Sequence, residues 1–316
     1  MNPDNPAIAF FGTSDIAVQA LEHLHEADLT PALIVTAPDR PKGRGLALSP
    51  SPVKEWALLH GIPVIEPEAL GDIPPELEKA PSGEPWDVFV VVSYGRMIPR
   101  KILDLPLRGA LNVHPSLLPK LRGPSPLESA ILEDMRETGV TIMLLDEEMD
   151  HGPIVSQARI TVEDWPPKAL MLEKLLGDVG GELLVEAIVP WINGDIMEEK
   201  QDDDVATYTR KFTKEDGLID LSGDPYANFR KIQAFSERPG TYFFVYPERS
   251  RGAEKNLPAP QSKASRQAGG KKIRVKIADA EYLPAQAGKG GVLTITRVIP
   301  EGKKEMDYED FRRGLK

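Results

Sequence analysis

Apolar residues in the first half of the chain come in short blocks separated by helical patterns. Ala7–Phe11 is an unbroken apolar run that stops at Gly12, which predicts a buried strand. Ile16, Ala17, Ala20, Leu21 and Leu24 then recur at helical spacing across Ile16–Glu26. Leu33–Thr36 predicts a second strand, followed by a loop rich in Pro, Gly and Arg that runs to Ser51. Ser51 suits the N-cap of a helix, Pro52 its first turn and Gly61 its end. Pro63–Ile65 is a short third strand. Val88–Val92 is apolar on both faces, the pattern of a central parallel strand covered by helices on each side. Ala110–His114, Val140–Leu145 and Ile154–Ile160 add three more, and Leu170–Val189 is a long helical pattern. Strands alternating with helices predict an α/β fold: a Rossmann-like open twisted sheet with helices on both faces.

The texture then changes. Trp191–Asp204 becomes increasingly polar, with Gly194 and an acidic run at Asp202–Asp204. This places a catalytic domain over 1–194, a linker over 195–210 and a smaller domain over 211–316. In the smaller domain Tyr226–Ala234 predicts a helix. Gly240–Val245, Lys272–Ala278 and Val292–Ile299 predict strands of an antiparallel, OB-like β-barrel. Two domains also suit the 316 residues, at roughly 150 per domain.

Composition narrows the chemistry. There is no cysteine, so thiolate nucleophiles, disulfides and cysteine metal sites are ruled out together, which fits a reducing cytoplasm. The opening MNPDNPAIAFF lacks the basic and apolar regions of a secretory signal, and no apolar run has the length of a membrane span. The formal net charge is −11, which on average disfavours a polyanionic partner. That charge is unevenly spread. Arg249–Lys276 carries nine Lys/Arg against Glu254 alone, so this segment is +8 and the rest of the chain −19. Such a concentration suits an anion-guiding patch, or simply a solvated insertion.

Three groups of residues could carry chemistry. Gly12-Thr13-Ser14-Asp15 follows a strand and precedes a helix, but lacks both glycine fingerprints of nucleotide loops, so it reads as a turn and helix cap. Asn112 and His114 end a strand two residues apart, which puts both side chains on one face where α/β sheets bind ligands. Both can donate hydrogen bonds to one developing oxyanion. Asp150 follows the next strand, in a turn from which its carboxylate could reach and orient His114. Asn, His and Asp together permit acyl transfer to an amine without a serine or cysteine nucleophile. His151 receives no role, and the histidine spacing suits no metal. The loop Pro38–Gly45 is basic, which suits either solvent or phosphate.

The run NVHPSLLPKLRGPSPLESAI (Asn112–Ile131) resembles the core motif of the folate-dependent formyltransferases. PDRPKGRGLALSPSPVKEWA and VTIMLLDEEMDHGPI are similar to the branch that formylates methionyl-tRNA. FFGTSDIAVQALEHL, VVSYGRMIP, ATYTRKFTKEDGLID and PEGKKEMDYEDFRRG extend the resemblance over residues about 7 to 314, with least likeness across 245–290. The resemblance implies formyl transfer from 10-formyltetrahydrofolate to the methionine amino group of initiator tRNA, by a monomer, with no metal and no membrane. Carried over by position, Asn112, His114 and Asp150 match the family's catalytic trio. Ser116, Leu117, Leu118 and Pro119 match its tetrahydrofolate-binding segment. Arg40, Lys42 and Arg44 fall in the loop that meets the acceptor stem. Pro115, Pro124-Ser125 and His151 stand where some members carry Gly, Ala-Ala and Thr. The readings left open are another folate-dependent amine formyltransferase, a formyltetrahydrofolate hydrolase, and a non-catalytic tRNA-binding module.

Overall fold

The computed structural model describes residues 6–42, 47–245, 272–285 and 291–315. The chain forms two compact units. The first holds the residues through Pro126, Glu137–Val162 and Glu173–Thr209; the second holds Leu127–Arg136, Glu163–Leu172 and the residues from Arg210 onward. The stretch expected to link two domains, 195–210, is thus part of the first unit as far as Thr209.

In the first unit the apolar blocks become strands of one sheet. The chain runs through β1 (Ile8–Gly12), α1 (Asp15–Glu26) and β2 (Leu33–Val35). A short antiparallel hairpin, β3 (Arg40–Lys42) and β4 (Ala47–Ser49), lies within the Pro/Gly/Arg-rich segment that reads as loop from sequence. Strands of three residues with a central Pro41 are too short to show an alternation. Next come α2 (Pro52–Leu59), β5 (Val64–Ile65), α3 (Pro75–Glu78) and β6 (Val88–Val92), then α4 (Arg100–Leu103) and β7 (Ala110–His114). After α5 (Pro126–Leu132), which belongs to the second unit beyond Pro126, the strands β8 (Glu137–Leu144) and β9 (Ile154–Thr161) precede the long α6 (Ala169–Asn193). The seven-stranded order is β5-β2-β1-β6-β7-β8-β9. It is parallel from β5 to β7 and antiparallel from β7 to β9.

Local chemistry accounts for these elements. The five apolar residues spaced along α1 are the five it buries. Ser51 Oγ accepts the Lys54 N–H at 3.0 Å, Pro52 opens α2, and Gly61 follows it with φ +68°. The short helices α3, α4 and α5 escape a periodicity reading because four to seven residues complete at most two turns. Each begins at or directly after a proline, whose fixed φ suits a first turn. β8 starts at Glu137 rather than Val140, because Glu137–Gly139 pair with the polar end of β9.

The second unit contains α7 (Pro225–Ala234), β10 (Thr241–Val245), β11 (Ile273–Leu283), β12 (Val292–Pro300), β13 (Met306–Asp307) and α8 (Tyr308–Arg313). The four strands pair antiparallel in that order, so the described residues show a four-stranded sheet of the antiparallel β domain. Register shifts around Asp279 interrupt the alternation of β11, which is why the apolar pattern read from sequence stops at Ala278. One face of the sheet places Phe243, Val245, Val275, Ile277 and Val298 in a core closed by Ile232 and Phe311. The alternate positions carry Tyr242 and Phe244 opposite Lys276 and Arg274. Arg274 stacks 3.9 Å above Tyr242, and Lys272 3.4 Å above Phe244. The result is a basic face, with the rings of Tyr242 and Phe244 lying beneath its cations.

Candidate active site

In the large sheet β2 lies on one side of β1 and β6 on the other, so the crossovers change direction there. The carboxyl ends of strands at such a switch leave a crevice free of returning helices. Gly12 lies opposite Val92, and Val91 opposite Asn112, so the ends of β1, β6 and β7 share one edge.

Asn112 and His114 stand on β7 at this edge, two residues apart and on one face. Asn112 is half-buried and His114 is 5% exposed. The strand is backed closely by α6. A Cβ on Gly180 would fall 2.8 Å from Val113 Cγ1, so only glycine lets the helix pack this tightly behind the pair. His114 Nε2 lies 3.1 Å from the Leu121 carbonyl, which can only accept, so this nitrogen carries a proton. Its Nδ1 faces Asp150 Oδ1 at 3.7 Å, too long for a hydrogen bond. The close partner that orients His114 is therefore the Leu121 carbonyl, with Asp150 an ion-pair distance behind. Such distances tighten when substrate closes a site.

Asp150 is held from several sides. Its Oδ2 accepts the Gly123 N–H at 2.7 Å, and its carbonyl accepts from Gln201 Nε2 at 2.9 Å. Its φ is +52°, and Leu121 and Ser93 also sit in the left-handed region at +60° and +47°. Each such non-glycine residue costs on the order of 1 kcal/mol or more, a cost that surrounding structure must offset. All three lie in the connections that leave β6, β7 and β8.

Ser116–Pro119 follow His114 directly. Ser116 N–H returns to the His114 carbonyl at 2.8 Å, and its Oγ donates to the Lys120 carbonyl at 2.7 Å. The buried Thr141 hydroxyl donates to the Ser116 carbonyl at 2.7 Å and accepts from Leu118 N–H at 3.1 Å and Gln157 Nε2 at 2.8 Å. One hydroxyl with all three positions filled thus pins the loop onto β8. Leu117 is half-buried, Leu118 is buried, and the Leu118–Pro119 peptide is cis. Arg40 is exposed on β3, Lys42 ends that strand, and Arg44 lies outside the described residues. Of the cations in the +8 segment, Lys272, Arg274 and Lys276 lie within the described residues.

Sequence reasoning missed a polar network beside this trio, buried at Arg122 and Gln201 and exposed at Asp203 and Tyr208. Arg122, 1% exposed, donates to Gln201 Oε1 at 2.9 Å, to Asp203 Oδ1 at 2.9 Å and to the Tyr208 hydroxyl at 3.0 Å. Thr207 and Thr209 bond to the backbone of 119–125. The polar composition of 195–209 is what makes it read as a linker; most of its side chains are exposed, and only the fold shows that Gln201 turns inward to meet Arg122.

His151, which reads as having no role, is also engaged. Its Nδ1 lies 2.7 Å from Asp146 Oδ2 and its Nε2 3.7 Å from Asp203 Oδ1. The hydrogen bond that its Nδ1–H donates to Asp146 raises its pKa above the usual 6.5. A raised folded pKa favours folding while the group is protonated, and this contribution fades as pH rises through the folded value. His151→Gln is therefore expected to lower Tm more at about pH 5.5 than at about pH 9. Thermal melts at the two pH values check this, and equal losses would contradict it.

Among the described residues no group of three or more His, Asp or Glu could hold a metal ion. No described helix is long and apolar enough to cross a membrane.

Known proteins share this architecture. Residues 6–188 match the formyl transferase family, and 211–316 match the formyl transferase C-terminal domain. The methionyl-tRNA formyltransferase of Bacillus subtilis (strain 168) is 36% identical, over 97% of this chain and 94% of its own. That of Roseiflexus sp. (strain RS-1) is 39% identical, over 98% of this chain and 92% of its own. In fold, the chain resembles an N-formyltransferase from Helicobacter canadensis, solved with folinic acid and dTDP-3-aminofucose. The TM-score is 0.60 at 18% identity, over 90% of each chain. The two family matches and these near full-length relatives place this chain in the formyltransferase family.

Proposed function

We propose that this chain transfers the formyl group of 10-formyltetrahydrofolate to the α-amino group of methionine carried by initiator tRNA. The observation that carries this reading is the meeting of Asn112, His114 and Asp150 at the carboxyl edge of β7, in a chain resembling methionyl-tRNA formyltransferases almost end to end. In this reading the neutral amine attacks the formyl carbon and a carbon–nitrogen bond forms. The carbonyl oxygen becomes an oxyanion, which the Asn112 amide stabilises by a hydrogen bond and His114 through a proton on Nδ1, its Nε2–H staying on the Leu121 carbonyl. Asp150 supports the His114 ring and collects the amine proton through water. The bond to N10 then breaks, and tetrahydrofolate leaves with a proton on that nitrogen. Ser116, Leu117, Leu118 and Pro119 line the folate path, and the pterin enters near Val90–Tyr94.

The tRNA is met by cations rather than by the acidic average of the chain. Arg40, Lys42 and Arg44 contact the acceptor stem. The face bearing Lys272, Arg274 and Lys276 supports the backbone with charge. The protein works as a cytoplasmic monomer.

The test is a formylation assay with methionyl initiator tRNA and 10-formyltetrahydrofolate. Unacylated tRNA, methionyl elongator tRNA and a dTDP-amino sugar serve as alternative acceptors. Transfer to the initiator species supports the reading. Transfer to the sugar alone, or hydrolysis of the donor without an acceptor, overturns it.

A further inference from the structure

We infer that Arg122 and Gln201 are positioning residues that hold His114 and Asp150 in register. This inference rests on the roles proposed above for that pair. The segment Leu121-Arg122-Gly123 touches both members: the Leu121 carbonyl accepts from His114 Nε2, and the Gly123 N–H binds the Asp150 carboxylate. The Arg122 side chain reaches Asp150 by a second route. Its Nε can only donate, so the atom of Gln201 that faces it, at 2.9 Å, is the amide oxygen. The orientation of the Gln201 amide is thereby fixed. Its NH2 group points the other way, to the carbonyls of Asp150 at 2.9 Å and Gly152 at 2.7 Å.

The two N–H bonds clamp the turn on either side of His151. That clamp is what keeps Asp150 at φ +52° with its carboxylate towards His114. Gln201 is 4% exposed and Arg122 1%, so neither bond competes with bulk water. The guanidinium is itself held by Asp203 and Tyr208, which leaves its Nε aimed at Gln201 alone. A buried arginine contributes little net stability compared with a well-packed apolar side chain. Its planar fork does supply direction, and here the direction ends on the turn that carries Asp150.

Two variants test this. Gln201→Leu keeps the volume and removes the clamp. Gln201→Glu keeps an acceptor for Arg122 but turns the donor end into an oxygen aimed at two carbonyls. Both are expected to lower kcat about 10- to 100-fold, the scale of a misplacement of roughly 1 Å, with KM for the formyl donor within about twofold. Gln201→Glu should lose kcat even where pairing with Arg122 maintains its Tm. Both should also move the ring 15N resonances of His114, read by NMR in the full chain without substrates. Trp86→Phe removes an equally buried hydrogen bond, to the Leu77 carbonyl at 2.9 Å, and should change neither readout. Wild-type kcat or unmoved ring resonances in Gln201→Leu would overturn the inference. So would a loss of kcat in Trp86→Phe that matched Gln201→Leu at equal loss of Tm. If the wild-type chain formylates no methionyl-tRNA, the functional reading fails while the ring resonances still decide the positioning.

Discussion

Replacing Asn112 with alanine is expected to lower kcat for formyl transfer about 10²- to 10³-fold, the usual cost of one oxyanion donor. Asn112 stands on a central strand and is half-buried, so truncation removes an amide from the crevice edge without opening the core. The amide is worth most when charge develops on the formyl oxygen and less when donor and acceptor merely bind. KM for 10-formyltetrahydrofolate should therefore stay within a few-fold, which separates this effect from a damaged folate site. Asn112→Asp sharpens the test. It preserves shape but replaces a donor with an acceptor-only carboxylate, and it should be at least as slow as the alanine variant. Saturating both substrates in initial-rate assays gives kcat directly. Near-wild-type kcat in either variant would remove Asn112 from the mechanism.

How much of this was readable beforehand follows from what each feature depends on. β6 is legible to the residue because five consecutive apolar residues end at a turn, and β7 because apolar Leu111 and Val113 alternate with Asn112 and His114 up to Pro115. Asn112 and His114 could be paired because the spacing of a strand fixes which side chains share a face. Asp150 was within reach only as a suggestion, since its approach depends on a turn whose φ is unusual for a non-glycine residue. The partner that fixes His114 was not legible at all. It is a main-chain carbonyl, at Leu121, and backbone groups are the same at every position. Arg122 and Gln201 were hidden for a related reason. Polar residues near 122 and 201 look like surface until a distant segment, 79 positions away, supplies the partner. The charge of −11 misleads in the same manner. It averages an acidic body with a face on which Lys272, Arg274 and Lys276 stand together.

Gly152→Ala should damage stability and turnover together, because the added methyl has nowhere to go. An ideal Cβ there would sit 2.0 Å from the Leu144 carbonyl oxygen and 3.0 Å from its carbon. Both atoms belong to the backbone of β8, whose Leu144 N–H is in turn bonded to the Pro153 carbonyl at 2.9 Å. No side-chain rotation relieves such a contact, so the turn must move away from the strand. Overpacking of this kind costs about 1–3 kcal/mol and occasionally more, which lowers Tm by about 2–12 °C in a domain of this size. The displacement also reaches the chemistry. Gly152 offers its carbonyl to Gln201, and Asp150 lies two residues earlier on the same turn. Tm and kcat should therefore fall together, with kcat down at least about tenfold at temperatures well below the melt. Gly61→Ala is the matching control. Its methyl meets nothing within 4 Å, so only its left-handed φ of +68° is penalised, and kcat should be unchanged. If Gly152→Ala melted and turned over like the wild type, the turn would be free to shift, and the tight seating of Asp150 against His114 could not be what the reaction requires.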